Sequence, residues 1–313
     1  MSRTGQDPPS GRSAELSGRQ PLSSGVSAAL AAYIFWGLAP LYFKLIQSVP
    51  ALEIIVHRIL WSIPVLALFL IIRDGRDFWA KMRLPPKTVL MLLLSGSLVA
   101  TNWLVFVWAV TNGKVLSTSL GYFIGPLVNF LLGFLFLHER LSRIQTAAVL
   151  IAASGTIYLG AFLGAAPWIA LSLAFSFGFY GLLRKKLDVG PMTGLMWETL
   201  LLALPALAYA VWLGSEGRLS FGHTTGGTDA LLVLAGLVTT LPLIWFNVAA
   251  RTLRLSTLGF FQYIAPSMTF LMSVFLFGEP FTHGHAVAFG CIWFALAMVS
   301  AETIRRSRRL KAA

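Results

Sequence analysis

Apolar runs of about 20 residues recur along nearly the whole chain, separated by short polar connections. As a helix, a run of that length covers roughly 30 Å, the thickness of bilayer hydrocarbon. Such runs fall at 26–46, 51–72, 88–110, 116–137, 142–163, 166–183, 192–213, 229–250, 256–277 and 284–303. Only 12% of the 313 residues are charged, against about 25% in soluble domains. Water could not cover so much apolar surface, so lipid must. Soluble enzymes, nucleic-acid binders and disulfide scaffolds are set aside. Cys291 has no second cysteine to pair with and lies in an apolar run, where it reads as a small packed hydrophobe.

The expected fold is therefore an all-α integral membrane protein with ten transmembrane helices. Residues 1–25, rich in Ser, Gly, Arg and Pro, are expected to form a disordered cytoplasmic tail, and 304–313 a basic one. Twenty of the 24 Lys and Arg residues fall in the two tails and the loops after spans two, four, six and eight. The opposite face carries Lys44, Lys114 and Arg218, and Arg58 lies inside a span. Basic loops mark the cytoplasmic side, so both termini are expected there. The net charge of +12 is then a matter of topology, and no nucleic-acid partner is implied.

A shift of 140 residues lays the second half on the first without a gap. Ile124 meets Ile264, Pro126 meets Pro266, Phe130 meets Phe270 and Glu139 meets Glu279. Ser117, Gly121, Gly125, Asn129 and Gly133 step by four along span four; their images are Thr257, Phe261, Ala265, Thr269 and Ser273. Small-residue stripes of this kind let helices approach closely in lipid. The halves are taken as 26–163 and 164–303. Each holds five spans, an odd number, so the copies cross the membrane in opposite senses. Inverted repeats of this type underlie alternating access in many secondary transporters.

Several segments also resemble a known family. They include 35–45 (FWGLAPLYFKL), 51–62 (ALEIIVHRILWS), 102–110 (NWLVFVWAV), 119–141 (SLGYFIGPLVNFLLGFLFLHERL), 174–186 (AFSFGFYGLLRKK) and 256–281 (STLGFFQYIAPSMTFLMSVFLFGEPF). The chain is similar here to the RarD group of EamA-type permeases, in the drug/metabolite transporter superfamily. The resemblance implies two EamA repeats, a bacterial inner-membrane location and export of small metabolites or drugs. Gly125 and His138 depart from the group's pattern, which has Asn and Gly there.

Ionisable side chains inside a span are costly and usually face the bundle interior or a water-filled cavity. His57 and Arg58 lie roughly 10 Å into span two at 1.5 Å per residue. Arg58 keeps its proton, so it needs a partner, an aqueous cavity or an anionic ligand; permanent structural pairing is the competing reading. Glu198 is its image under the 140-residue shift and a candidate carrier of a coupling proton. Asn102, Trp103, Tyr122, Asn129, Gln262 and Tyr263 fall near the midplane and are candidates to line a substrate cavity, although amides also tie helix to helix. Pro126 and Pro266 are the hinge candidates. Glu139 and Glu279 are read as caps of neighbouring helices.

The expected function is a secondary transporter moving a small-molecule substrate through a cavity between the repeats. A channel or membrane scaffold is the alternative. An intramembrane enzyme ranks lower, since no H-E-x-x-H, G-x-S-x-G or Walker A string occurs. No cofactor and no metal site are expected. The lipid bilayer is the expected environment, and a homodimer stays open.

Overall fold

A computed structural model describes residues 22–138, 140–164, 166–253 and 261–312. Glu139, Thr257 and most of the expected N-terminal tail lie outside the described residues. Lipid offers no water to backbone groups, so helices that satisfy themselves are the natural outcome. The helices are α1 (Leu22–Leu45), α2 (Ala51–Asp74), α3 (Pro86–Thr111), α4 (Val115–Leu137) and α5 (Arg143–Leu163). They continue with α6 (Trp168–Lys186), α7 (Pro191–Ser215), α8 (Gly226–Thr252), α9 (Ile264–Leu271) and α10 (His283–Ala312). A short helix, Phe78–Lys81, follows α2.

Among the described residues, eight helices are long and apolar enough to cross a membrane, against ten expected. The other two are α6 and α9. Helix α6 has 19 residues and ends in Arg184, Lys185 and Lys186. Helix α9 gives way to a π-helical turn, Met272–Leu276. At the chain start, α1 begins at Leu22, inside the expected tail. At the other end, α10 runs on through the basic stretch to Ala312.

Local chemistry sets several helix ends. Pro86 and Pro191 occupy first turns, where a missing N–H costs nothing. Ser142 and Gln145 form a reciprocal capping box at the start of α5. The first N–H groups of α4 are satisfied from a distant part of the chain. Val115 N and Leu116 N donate to the two carboxylate oxygens of Glu279 at 2.6 and 2.8 Å. Helix α4 closes on His138 with φ 53. Gly278, at the equivalent place after α9, has φ 65. The left-handed conformation favours glycine, which gives a physical reason for the glycine that the RarD pattern has where this chain carries His138.

Close packing joins the two halves. Helix α5 packs on α10, α4 on α6, α1 on α9, α1 on α8, α3 on α6, α2 on α8, α3 on α7 and α2 on α7. Exchanging the halves (α1 for α6, α2 for α7, and so on) turns the α5–α10 and α2–α7 pairings into themselves and each of the others into another member of the same set. Gly96 and Gly236, also 140 residues apart, show why two of them are close. A Cβ on Gly236 of α8 would lie 2.2 Å from the Trp61 carbonyl carbon of α2. One on Gly96 of α3 would lie 3.3 Å from the Glu198 Cβ of α7. The small-residue stripe of α4 is used unevenly. A Cβ on Gly121 would meet the Ala170 carbonyl oxygen at 2.8 Å, whereas one on Gly125 has nothing within 4 Å.

Candidate functional site

Residues 53–59 of α2 are all buried, so Arg58 lies within the helix bundle. Its guanidinium carbon instead lies 4.7 Å from the ring centre of Trp103 and 5.2 Å from that of Phe43. Nε donates to Thr239 Oγ1 of α8 at 3.0 Å, and Thr239 donates in turn to the Ala235 carbonyl. The two Nη nitrogens make no hydrogen bond among the described residues, and the residue keeps 8% of its surface. The ionisable groups close enough to interact with it are the Tyr42 and Tyr122 hydroxyls. Among the described residues no carboxylate forms an ion pair with it. Each aromatic face contributes about 2 kcal/mol when desolvated; burying an ion costs several. The cation is incompletely compensated.

Asn102 and Tyr122 continue the same wall. Asn102 is 2% exposed, and its amide donates to the Leu173 carbonyl and to Ser176 Oγ of α6 at 2.9 and 3.0 Å. Tyr122 of α4 donates to Asn102 Oδ1 at 3.3 Å, and its ring lies 5.8 Å from Phe106. Arg58, Trp103, Asn102 and Tyr122 thus form one connected set across α2, α3 and α4, closed by Thr239 from the other half.

The remaining expected residues fall elsewhere. His57 faces away from Arg58, as adjacent helix positions do. Its Nδ1 accepts from Trp61 Nε1 at 3.2 Å, its ring lies 4.9 Å from Phe221, and its buried Nε2 has no hydrogen-bond partner among the described residues. Over the same end of α2, Glu53 accepts from Ser220 N, Ser220 Oγ and Phe221 N, which ties the α7–α8 loop down. Asn129 is exposed and forms no hydrogen bond among the described residues. Gln262 is half-buried in the turn before α9, and the ring of Tyr263 stacks over Phe123 at 6.4 Å in an apolar cluster with α10. Pro126 is half-buried in α4, while the buried Pro266 has its carbonyl held by Ser119 Oγ at 2.8 Å.

Glu198 is 1% exposed and has company that the sequence reading missed. Its carboxylate accepts from Ser95 Oγ of α3 and, at 3.4 Å, from the Tyr180 hydroxyl of α6. Arg184 Nη1 lies 3.8 Å from Glu198 Oε1, while its Nη2 donates to the Gly190 and Pro191 carbonyls. Gly194 makes room, since a Cβ there would overlap the guanidinium at 1.8 Å from Nη1. Although the sequence places Arg184 in a basic loop, it is turned inward. Each charge of the equivalent pair is therefore held by the third helix of the other half, Arg58 by α8 and Glu198 by α3.

Among the described residues no three His, Cys, Asp or Glu side chains gather as metal ligands. A crevice of about 680 Å³ lies among α4, α5 and α6 near Val128, Thr156 and Phe175. Its lining is apolar and includes none of the residues discussed above.

Protein RarD of Salmonella typhi is 47% identical over 286 residues, covering 91% of this chain and 97% of its own length. An uncharacterized transporter of Vibrio cholerae is 45% identical over 289 residues, 92% of this chain and 95% of its own. Protein RarD of Escherichia coli is 45% identical over 285 residues, 91% and 96%. A solved structure described only as the crystal structure of a protein superposes with a TM-score of 0.60 over 90% of this chain and 98% of that one. At 18% identity that likeness concerns the fold alone. The EamA-like transporter family matches twice, at residues 23–161 and 165–301. The two matches end 140 residues apart, which is the internal shift already found. With nearly all of the chain so matched, this multi-pass membrane protein belongs to the EamA-like transporter family and is a RarD-type permease.

Proposed function

We propose that the protein is a secondary transporter that exports a small metabolite or drug-like solute across the bacterial inner membrane by alternating access. In this reading all ten helices cross the bilayer, the two five-helix halves are inverted repeats, and both termini are cytoplasmic. The observation that carries it is the reciprocal holding of Arg58 by α8 and Glu198 by α3. Any rocking of one half against the other changes the surroundings of both buried charges together. Inverted repeats give such rocking two equivalent end states, one open to each side. The halves-exchange symmetry of the helix pairings supports the same reading.

Roles follow from position. Arg58, with Trp103, Asn102 and Tyr122, receives the solute. Glu198 carries a coupling proton: Arg184 and Tyr180, in its own half, stabilise the ionised carboxylate, and Ser95 of the other half loses contact with it when the halves move. Pro126 and Pro266 allow α4 and α9 to bend, and the π-helical turn after α9 marks a second yielding point.

The test begins with an untargeted comparison of extracellular metabolites from cells with and without the protein. The solute so identified is then followed in proteoliposomes. Saturable flux is expected in the wild type, with loss of flux in Arg58→Ala at unchanged membrane insertion. Flux that never saturates would indicate a channel, and undiminished flux in Arg58→Ala would remove that residue from the pathway.

A further inference from the structure

The two buried charges of the equivalent pair are compensated very differently. Glu198 has a cation within 3.8 Å and hydroxyls from Ser95 and Tyr180. Arg58 has one hydroxyl, Thr239, and two aromatic faces. No anion is supplied among the described residues: the nearest acidic side chain on its own helix, Glu53, is taken up by Ser220 and Phe221. An arginine fork is a planar, rigid set of donors matched to a planar pair of oxygens. Here Nε is used by Thr239 and the two Nη nitrogens are free to make that paired contact.

We infer that the Arg58 pocket binds the carboxylate of a solute with net charge −1 and a flat or apolar body. The inference deepens the transport reading by giving the substrate its class. Three features narrow it. A single unpaired guanidinium neutralises one negative charge, so a phosphate dianion would leave charge buried. An ammonium would need an acceptor anion, and the neighbours Phe43, Trp103, Tyr42, Tyr122 and Asn102 supply none, so amines and zwitterionic amino acids are disfavoured. The Phe43 and Trp103 rings flank the guanidinium, so the flat body of a solute held by it would lie beside aromatic side chains.

Binding by the purified full chain in detergent tests this without reference to flux. Radiolabelled benzoate serves as the probe, with benzamide, benzylamine, phenylalanine and inorganic phosphate as competitors. Saturable benzoate binding is expected, with every competitor at least tenfold weaker than unlabelled benzoate. Arg58→Gln should weaken benzoate binding at least tenfold, and Arg58→Lys, which keeps the charge but not the fork, should fall between. The competition series on the wild type stands even if the variants fold poorly. Absence of saturable binding, equal competition by benzamide or phenylalanine, stronger competition by phosphate, or undiminished binding by Arg58→Gln overturns the inference. Benzoate binding that depends on Arg58, in a protein that moves no solute, would sink the transport reading and leave this one standing. Flux lost in Arg58→Ala, without benzoate binding, would do the reverse.

Discussion

Gly236→Ala is the sharpest packing test that the fold offers. The added Cβ would lie 2.2 Å from the Trp61 carbonyl carbon, 2.3 Å from its oxygen and 2.7 Å from Ser62 N, all backbone atoms of α2. Backbone cannot swing aside as a side chain does. Real Cβ contacts begin near 3.0 Å, so α8 must retreat from α2 by roughly 0.8 Å or more, the kind of shift that overpacking forces. Thr239 lies one turn further along α8, and its 3.0 Å bond to Arg58 would stretch beyond useful hydrogen-bond length. Overpacking of this kind costs about 1–3 kcal/mol. At roughly 2–4 °C per kcal/mol, the melting temperature in detergent should fall by about 2–12 °C. Gly96→Ala is the built-in control. Its Cβ would meet Glu198 Cβ at 3.3 Å and Cα at 3.4 Å, distances that small adjustments relieve, so its cost should stay under about 1 kcal/mol. If Gly236→Ala melts within about 1 °C of the wild type, or Gly96→Ala is as damaging, the helix approach described here is wrong.

Glu198→Gln should make solute flux in proteoliposomes independent of pH while leaving the helix contacts in place; a mutant that keeps the wild-type pH dependence would show that the proton travels elsewhere. His138→Gly should raise the melting temperature, since relieving a non-glycine residue at φ 53 recovers about 1 kcal/mol, and a lowered melting temperature would mean that the imidazole holds α4 in a way its backbone does not suggest.

Much of the helix pattern was legible because lipid leaves so few options. A run of 20 apolar residues must be a helix, and the runs at 51–72, 88–110 and 116–137 coincide with α2, α3 and α4 to within a few residues. Span nine was harder to read. Its sequence is as apolar as that of span four, yet the described part is a short α-helix followed by a π-helical turn, and nothing in residue type announces that break. Arg58 and Glu198 stood out from sequence because buried charge in an apolar run is rare. Their partners did not. Arg184 reads as a loop cation by its place beside Lys185 and Lys186, and only the room left by Gly194 turns it inward. Phe43 is one of 23 phenylalanines, and no local signal marks it as the face beneath a guanidinium. Gly96 and Gly236 are legible in the sequence, because the 140-residue shift pairs them. For Tyr263 the position in span nine suggested the midplane, and the structure adds the neighbour that the sequence could not name, the Phe123 ring of α4.

Opposed orientation of the two halves is most directly read by labelling equivalent loop positions. Arg76 and Glu216 are 140 residues apart, each exposed just beyond the second helix of its half. Arg76→Cys and Glu216→Cys, each combined with Cys291→Ser, would be treated with a membrane-impermeant maleimide. Glu216→Cys should react in intact cells and Arg76→Cys only after the membrane is opened. Reaction of both from the same side would contradict inverted repeats and, with them, the alternating-access mechanism.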